Sequence, residues 1–138
     1  GARATRVTQA DALRYVFGAT CVNDVTARGL QDSGVQFSHA KGYDTFAPLG
    51  PAIATGLDLG AIDVEGFVNG EARQSSNTRE LIFPIAELVA YVSAIMTLEP
   101  GDVIMTGTPA GVGPLTAGDI VSVRIPGIGE LSNPVVAG

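Results

Sequence analysis

Apolar residues recur at helical spacing in two segments of the chain. Between residues 8 and 17, the apolar positions 12, 13, 16 and 17 would form one face of a helix. Thr8 and Asp11 resemble a capping box at its start, and Gly18 is placed to end it in the left-handed conformation. Residues 84–96 carry a second stripe of this period, beginning at Pro84, which suits a first helical turn. The pattern therefore predicts two helices.

The rest of the chain has the pattern of short β-strands separated by turn residues. Residues 19–25 form an apolar run, and residues 61–74 contain Asn69-Gly70, a strong hairpin signal. Turn residues at 99–102 and 116–119 precede predicted strands at 103–106 and 120–125, and a last strand ends near residue 136. No linker divides the chain, and regular βαβ alternation is absent. We therefore expect one domain over residues 1–138, with a β-rich α+β fold and two packed helices.

Composition narrows the class of function. The 138 residues include 18 glycines and 8 prolines, which suits a turn-rich globular domain. A net charge of −6, with no run of basic residues, argues against nucleic acid and anionic membranes as partners. No apolar stretch is long enough to span a bilayer, and a single cysteine, Cys21, permits no internal disulfide. We therefore expect a cytoplasmic protein.

Residues 23–31 concentrate polar side chains directly after a predicted strand. They include Asp24, Arg28 and Gln31. A carboxylate at the end of a strand is rigidly placed to bind a hard cation such as Mg²⁺, which prefers oxygen ligands. Taken alone, however, Asp24 would more often cap a turn and pair with Arg28 at the surface.

Two further segments could carry chemistry. Lys41, the single lysine, lies on a predicted loop before an apolar strand, where its charge could stabilise an enolate. The glycine-rich residues 105–114 could offer backbone amides and the Thr108 hydroxyl to a carboxylate. A nucleotide-binding loop is a weaker interpretation, because the Gly-Lys-Ser/Thr sequence is absent and Pro109 removes a donor. A tight structural loop is the remaining alternative.

These segments, in this order, resemble signatures of the fumarylacetoacetate hydrolase superfamily. The similar stretches are 23–31, 40–51, 68–78 (VNGEARQSSNT), 98–113 (LEPGDVIMTGTPAGVG) and 127–135. The resemblance is to the C-terminal catalytic domain, of the bacterial 2-hydroxyhepta-2,4-diene-1,7-dioate and 5-carboxymethyl-2-hydroxymuconate isomerase type. It implies a mixed β-sheet roll or sandwich with the two helices packed on it.

The resemblance implies roles for five residues. Asp24 matches a carboxylate that binds Mg²⁺ or Mn²⁺, while Arg28 and Gln31 match side chains facing the carboxylate and oxo oxygens of the substrate. Lys41 matches an active-site lysine, and Thr108 a threonine that binds a substrate carboxylate. The implied enzyme is a homodimer that hydrolyses, isomerises or decarboxylates 2-oxo or 1,3-dicarbonyl acids through an enolate-like intermediate. Its place would be aromatic-compound or 2-oxo acid catabolism.

Two departures from the family pattern affect these expectations. Gly29 stands where the family usually has Asp, so we expect Arg28 to be held more loosely. The resemblance also places two further metal-binding carboxylates and a catalytic His–Glu pair upstream of Gly1, together with the N-terminal strands of the domain. His39, the single histidine, has no catalytic place in the motif.

We therefore expect the 138-residue chain by itself to be metal-free and inactive, and the full-length protein to be the enzyme. The alternative is a non-catalytic domain that keeps the fold for binding or assembly. Gly29 and the absent ligands favour that alternative, whereas the set formed by Asp24, Arg28, Gln31, Lys41 and Thr108 argues against it.

Overall fold

A computed structural model describes residues 1–34 and 36–137. In chain order, the described residues form β1 (Ala19–Val22), α1 (Arg28–Asp32), α2 (Phe37–Lys41), β2 (Leu49–Ala54), β3 (Asp63–Val68), β4 (Glu71–Asn77), α3 (Ile85–Ile95), β5 (Ile120–Ile125) and β6 (Gly129–Pro134). Two 3₁₀ turns lie at Ala12–Tyr15 and Thr78–Glu80. The predicted β-rich α+β class is confirmed.

The strands form two antiparallel ladders. Four strands pair in the order β4-β3-β5-β6, and β1 pairs with β2. Every ladder among the described residues is antiparallel, where the resemblance implied a mixed sheet. The β1–β2 ladder packs on β5 and β6, so the two ladders form facing layers.

The hairpin between β3 and β4 forms where Asn69-Gly70 predicted it. Both residues are left-handed, with φ of 52° and 80°, as the two-residue turn of a twisted hairpin requires. The Asn69 side chain also fixes the hairpin tip to the neighbouring strand. Its amide donates to Asp119 Oδ1, and its carbonyl oxygen accepts from Ile120 N, each at 2.8 Å. The turn thus anchors the start of β5.

The apolar core lies between the two ladders. Cys21 of β1, Ile125 of β5 and the loop residue Ile62 are buried, and partly buried side chains of β3, β5 and β6 pack around them. Desolvation by burial raises the pKa of the Cys21 thiol. This small core holds the end of β1, from which the polar segment at 23–31 departs.

A second contact joins the N-terminal segment to α3. Ser93, which is 1% exposed, accepts a hydrogen bond from Val7 N (3.1 Å) and donates one to Ala90 O (2.9 Å). Its own carbonyl accepts from Arg6 N at 2.8 Å. The polar Ser93 is therefore buried because it satisfies backbone groups on both elements.

The helix predicted over residues 8–17 is reduced to the 3₁₀ turn Ala12–Tyr15. The expected contact between Thr8 and Asp11 does form, with Thr8 Oγ1 2.9 Å from Asp11 Oδ2. The backbone nevertheless closes in three-residue steps, with Arg14 N donating to Asp11 O at 3.0 Å and Val16 N to Leu13 O at 3.3 Å. Gly18 is not a left-handed cap. A side chain there would overlap the Ala54 carbonyl oxygen, so Gly18 permits close approach to β2.

The remaining predictions of helices and strands are confirmed in part. Helix α3 and strand β5 form as expected, but β1 ends at Val22 rather than residue 25. Residues 103–106 form no strand, because no backbone ladder partner lies beside them within the described part of the chain. The single-turn helices α1 and α2 were not predicted, since five residues are too few to show a helical period. Among the described residues, no helix has the length and apolar character needed to cross a membrane.

We expect Ser93→Ala to lower the free energy of unfolding by about 1–3 kcal/mol, because the Val7 amide would lose its buried acceptor. Chemical denaturation measures the change. Ser75→Ala, at an exposed position of β4, is the matched control and should change the stability by less than about 0.5 kcal/mol. Equal losses in the two variants would contradict the anchoring role of Ser93.

Acid should weaken the turn that contains Asp119. Hydrogen bonds, first from the Thr116 backbone and then from the Asn69 amide, lower the pKa of Asp119 below its ordinary value. The ionised carboxylate therefore stabilises the fold above its unfolded-state pKa, and this contribution is lost as the pH falls through the folded-state pKa. We expect Asp119→Asn to lower Tm at neutral pH, with a difference that narrows on acidification. Asp32→Asn, which removes an exposed carboxylate from α1, is the matched control.

Candidate active site

Asp24 lies two residues beyond the end of β1 and is partly exposed. After Val22 the chain leaves the ladder, although Asn23 N still donates to Pro48 O at 3.3 Å. Thr26 Oγ1 then donates to the Asp24 carbonyl at 3.1 Å, which tightens the following turn. Asp24 keeps 27% of its side chain exposed, so its carboxylate is reachable from solvent.

Lys41 meets Asp24 from the end of α2. Its Nζ donates to Asp24 Oδ2 and forms an ion pair there, and it also lies 3.3 Å from Thr26 Oγ1. The pairing depends on one backbone contact, in which Ala27 N donates to Ala40 O at 2.8 Å. Because Ala40 is fully buried, this contact fixes α2 against the Asp24 turn.

Arg28 and Gln31 lie on one side of α1. Residues three apart on a helix are neighbours, and Arg28 Nη1 donates to Gln31 Oε1 at 2.6 Å. Within the described residues Arg28 forms no ion pair with a carboxylate, so its positive charge is not neutralised. Apart from its chain neighbours and the backbone of its own helix, no atom lies within 4 Å of a Cβ placed on Gly29, so there is space for a side chain there. The looser Arg28 expected from Gly29 stays a prediction.

Thr108 makes no direct contact with the other four predicted residues in the described part of the chain. It is exposed on the glycine-rich loop and borders an open groove of about 330 Å³. Other residues of this groove include Val64, Asn77, Leu81, Phe83 and Leu88. In residues 1–34 and 36–137, no hydrogen bond or ion pair joins Thr108 to Asp24, Arg28, Gln31 or Lys41. The structure therefore brings four of the five predicted residues onto two packed helices and one turn.

The described residues do not by themselves fit a divalent metal. Across this part of the chain, no three His, Cys, Asp or Glu side chains gather into a group that could hold an ion. Asp24 provides one carboxylate, and Lys41 is paired with it. Mg²⁺ usually requires near-octahedral oxygen coordination, so further ligands would have to come from outside this set.

The order of these segments matches a known family. Residues 1–136 match the family described as "Fumarylacetoacetate (FAA) hydrolase C-terminal". The chain belongs to the fumarylacetoacetate hydrolase family. The Asp24–Lys41 ion pair and the loop that carries Thr108 thus lie within the part of the chain that matches this family, and the resemblance read from the motifs is confirmed.

Solved structures and curated relatives agree with the family. A 5-carboxymethyl-2-hydroxymuconate delta-isomerase from Mycobacterium smegmatis is 50% identical, with a TM-score of 0.97 over 100% of this chain and 55% of that one. A fumarylacetoacetate hydrolase from Exiguobacterium antarcticum is 46% identical, with a TM-score of 0.95 over 100% of this chain and 53% of that one. Oxaloacetate tautomerase YisK from Bacillus subtilis is 43% identical over 98% of this chain and 48% of its own length. The chain spans about half the length of these family members.

Sequence reasoning missed two residues that hold the predicted ones in place. Thr26 contacts Lys41, and Gln74 donates to Pro109 O at 2.9 Å, next to Thr108. Both lie inside stretches that carried the family resemblance, which was the available signal. Their contacts could not be read from spacing, because Gln74 and Pro109 are 35 residues apart.

Proposed function

We propose that the whole protein is an enzyme that hydrolyses or isomerises 2-oxo or 1,3-dicarbonyl acids. The observation that carries the proposal is the charge of Arg28. Its guanidinium is held by the Gln31 amide oxygen and forms no ion pair within the described residues. Helix α1, which carries Arg28, packs on α2, where Lys41 is paired with Asp24. In a protein of net charge −6, a cation that has no carboxylate partner among the described residues is suited to an anionic substrate.

Each side chain then has a distinct task. Arg28 can hold a substrate carboxylate, and its bond to Gln31 fixes the direction in which the guanidinium points. Lys41 can stabilise negative charge that develops on an enolate oxygen. The hydroxyl of Thr108, exposed beside the groove, can bind a second carboxylate. Hydrolysis, isomerisation and decarboxylation of such acids share this requirement for a stabilised enolate.

We also propose that the whole protein depends on Mg²⁺ or Mn²⁺, with Asp24 as one ligand. The family resemblance supports this proposal, together with the partial exposure of the Asp24 carboxylate. The remaining ligands would come from residues of the full-length protein outside residues 1–138. A hard cation would then compete with Lys41 for Asp24.

A second candidate function is binding or assembly without catalysis. Two observations favour it. Asp24 is already paired with Lys41, and among the described residues it belongs to no group of three side chains that could hold a metal ion. The absence of turnover and of metal binding in the full-length protein would select this candidate.

We propose that the protein forms a homodimer. The chain exposes 8803 Å², whereas a folded monomer of 14.1 kDa exposes roughly 6,700 Å². This difference of roughly 2,000 Å² is surface that a second copy, which needs ~800 Å² per partner for a stable interface, would share with the further residues of the full-length protein. Tyr91 and Ile95, one turn apart on α3, are 66% and 64% exposed and form an apolar face that a second copy would cover.

The function is tested with the full-length protein, Mg²⁺ and three substrate classes: oxaloacetate, acylpyruvates and hydroxymuconate-type diacids. We expect Asp24→Ala to lower metal-dependent kcat/KM by about 100-fold or more, since even residues that only support a ligand cost 10- to 100-fold. Arg28→Ala should raise KM by about 10- to 100-fold, because a charged hydrogen bond is lost.

Asp32→Ala, an exposed carboxylate of the same helix as Arg28, is the matched control and should leave turnover unchanged. Near-normal activity of the Asp24 variant would refute its assignment as a metal ligand. Near-normal KM of the Arg28 variant would refute the proposed substrate contact.

The dimer is tested by light scattering during size-exclusion chromatography of the full-length protein. We expect twice the monomer mass, and a shift towards monomer in Tyr91→Lys/Ile95→Lys because the charges would be buried in an apolar interface. Val136→Lys, outside α3 at a position that is 76% exposed, is the control. A monomeric wild type, or a double variant that dimerises normally, would contradict the proposal.

A further inference from the structure

Strand β4 contains a bulge opposite β3. Gly66 pairs with Gln74, but the next residue of β3, Phe67, pairs with Ala72. Arg73 is therefore an extra residue without a direct partner on β3. A bulge of this kind bends a strand and changes the direction of its backbone groups and side chains, and bulges are common beside active sites.

The glycine-rich loop rests on the bulged backbone. Gly111 is left-handed, with φ of 103°, and a side chain on it would overlap the Arg73 carbonyl oxygen and lie 3.1 Å from Gln74 Cγ. The loop can thus approach β4 this closely only because residue 111 has no side chain. The bulge and Gly111 together create a seat for the loop.

Gln74 connects this seat to Thr108. Its Nε2 donates to Pro109 O at 2.9 Å, so it binds the residue directly after Thr108. On the other side, a side chain on the buried Gly66 would come within 2.9 Å of Gln74 Oε1. The Gln74 side chain therefore occupies a slot between two glycines, Gly66 of β3 and Gly111 of the loop.

Because the Gln74 contact is with a proline, it also affects the conformation of Thr108, the residue before that proline. The proline ring fixes its own φ and restricts the residue before it. A hydrogen bond that holds the Pro109 carbonyl therefore also limits the backbone of Thr108. Thr108 itself is exposed and borders the groove, so its hydroxyl depends on the loop backbone for its position.

We infer that Gln74 is a positioning residue, which holds the loop on the β4 bulge so that the Thr108 hydroxyl faces the substrate carboxylate. The part that concerns the loop stands on the contacts of Gln74, Gly66 and Gly111. The part that concerns the carboxylate rests on the proposed function of Thr108.

The position of the loop can be measured without substrate. In the full-length protein, Gln74→Leu removes the donor at similar volume, and Gln74→Glu keeps the shape but has no N–H for Pro109 O. We expect faster deuterium uptake in peptides covering residues 105–114 in both variants, and also in Gly111→Ala, which displaces the loop from the other side. Gln9→Leu, at an exposed glutamine, is the control. Unchanged uptake in both Gln74 variants would overturn the inference.

The consequence for binding is measured with oxalate, a small dicarboxylate, in the presence of Mg²⁺. We expect Gln74→Leu to weaken oxalate binding by about 5- to 30-fold, the effect of one to two kcal/mol. If Gln74 only stabilised the fold, the loss of oxalate affinity caused by Gln74→Leu would add to the loss caused by Thr108→Val. We instead expect Thr108→Val/Gln74→Leu to bind oxalate no more weakly than Thr108→Val alone.

The outcomes separate the two proposals. Additive losses in the double variant, or wild-type affinity in Gln74→Leu, would overturn the positioning role of Gln74. If wild-type protein does not bind oxalate and Thr108→Val does not change turnover, the proposed function of Thr108 fails. Faster exchange in the Gln74 variants would then still establish its hold on the loop.

Discussion

Strand β3 is hydrogen-bonded along both edges, to β4 on one side and to β5 on the other, and the rest of the domain depends on this double pairing. The register with β4 puts Gly66 opposite Gln74 and produces the bulge at Arg73. The register with β5 places the hairpin tip beside Asp119, where Asn69 binds it. Because a slip of one residue would exchange the two faces of a strand, both contacts exist in one register only.

Local signals predicted the parts of the fold that local chemistry determines. Asn69-Gly70 is a turn whatever surrounds it, and the helical spacing over residues 84–96 is long enough to be recognised as α3. The segment 103–106 failed as a strand because strand formation requires a neighbouring backbone, and the sequence of the segment does not contain that information. The turn at Ala12–Tyr15 does not form an α-helix although Ala12, Leu13 and Arg14 are good helix formers, so its packing against α3 outweighs local propensity.

The site was predictable in its residues but not in its contacts. The family resemblance identified Asp24, Arg28 and Lys41, yet simple reasoning from the residues paired Asp24 with Arg28. The structure pairs Asp24 with Lys41 instead, because the bond from Ala27 to Ala40 carries the end of α2 to the Asp24 turn. That bond joins the start of α1 to α2, and both helices are too short to show a helical period in the sequence. Arg28 consequently bonds to Gln31 within its own helix.

The buried thiol of Cys21 makes the contact between the two ladders observable in solution. A cysteine reacts as the thiolate, and this one is inaccessible, with its pKa raised by burial. An alkylating reagent can reach it only after the β1–β2 layer separates from β5 and β6. The rate of labelling at this single cysteine therefore reports how often the two layers separate in the native state. Cys21 lies three residues before Asp24, so the rate describes opening close to the candidate site.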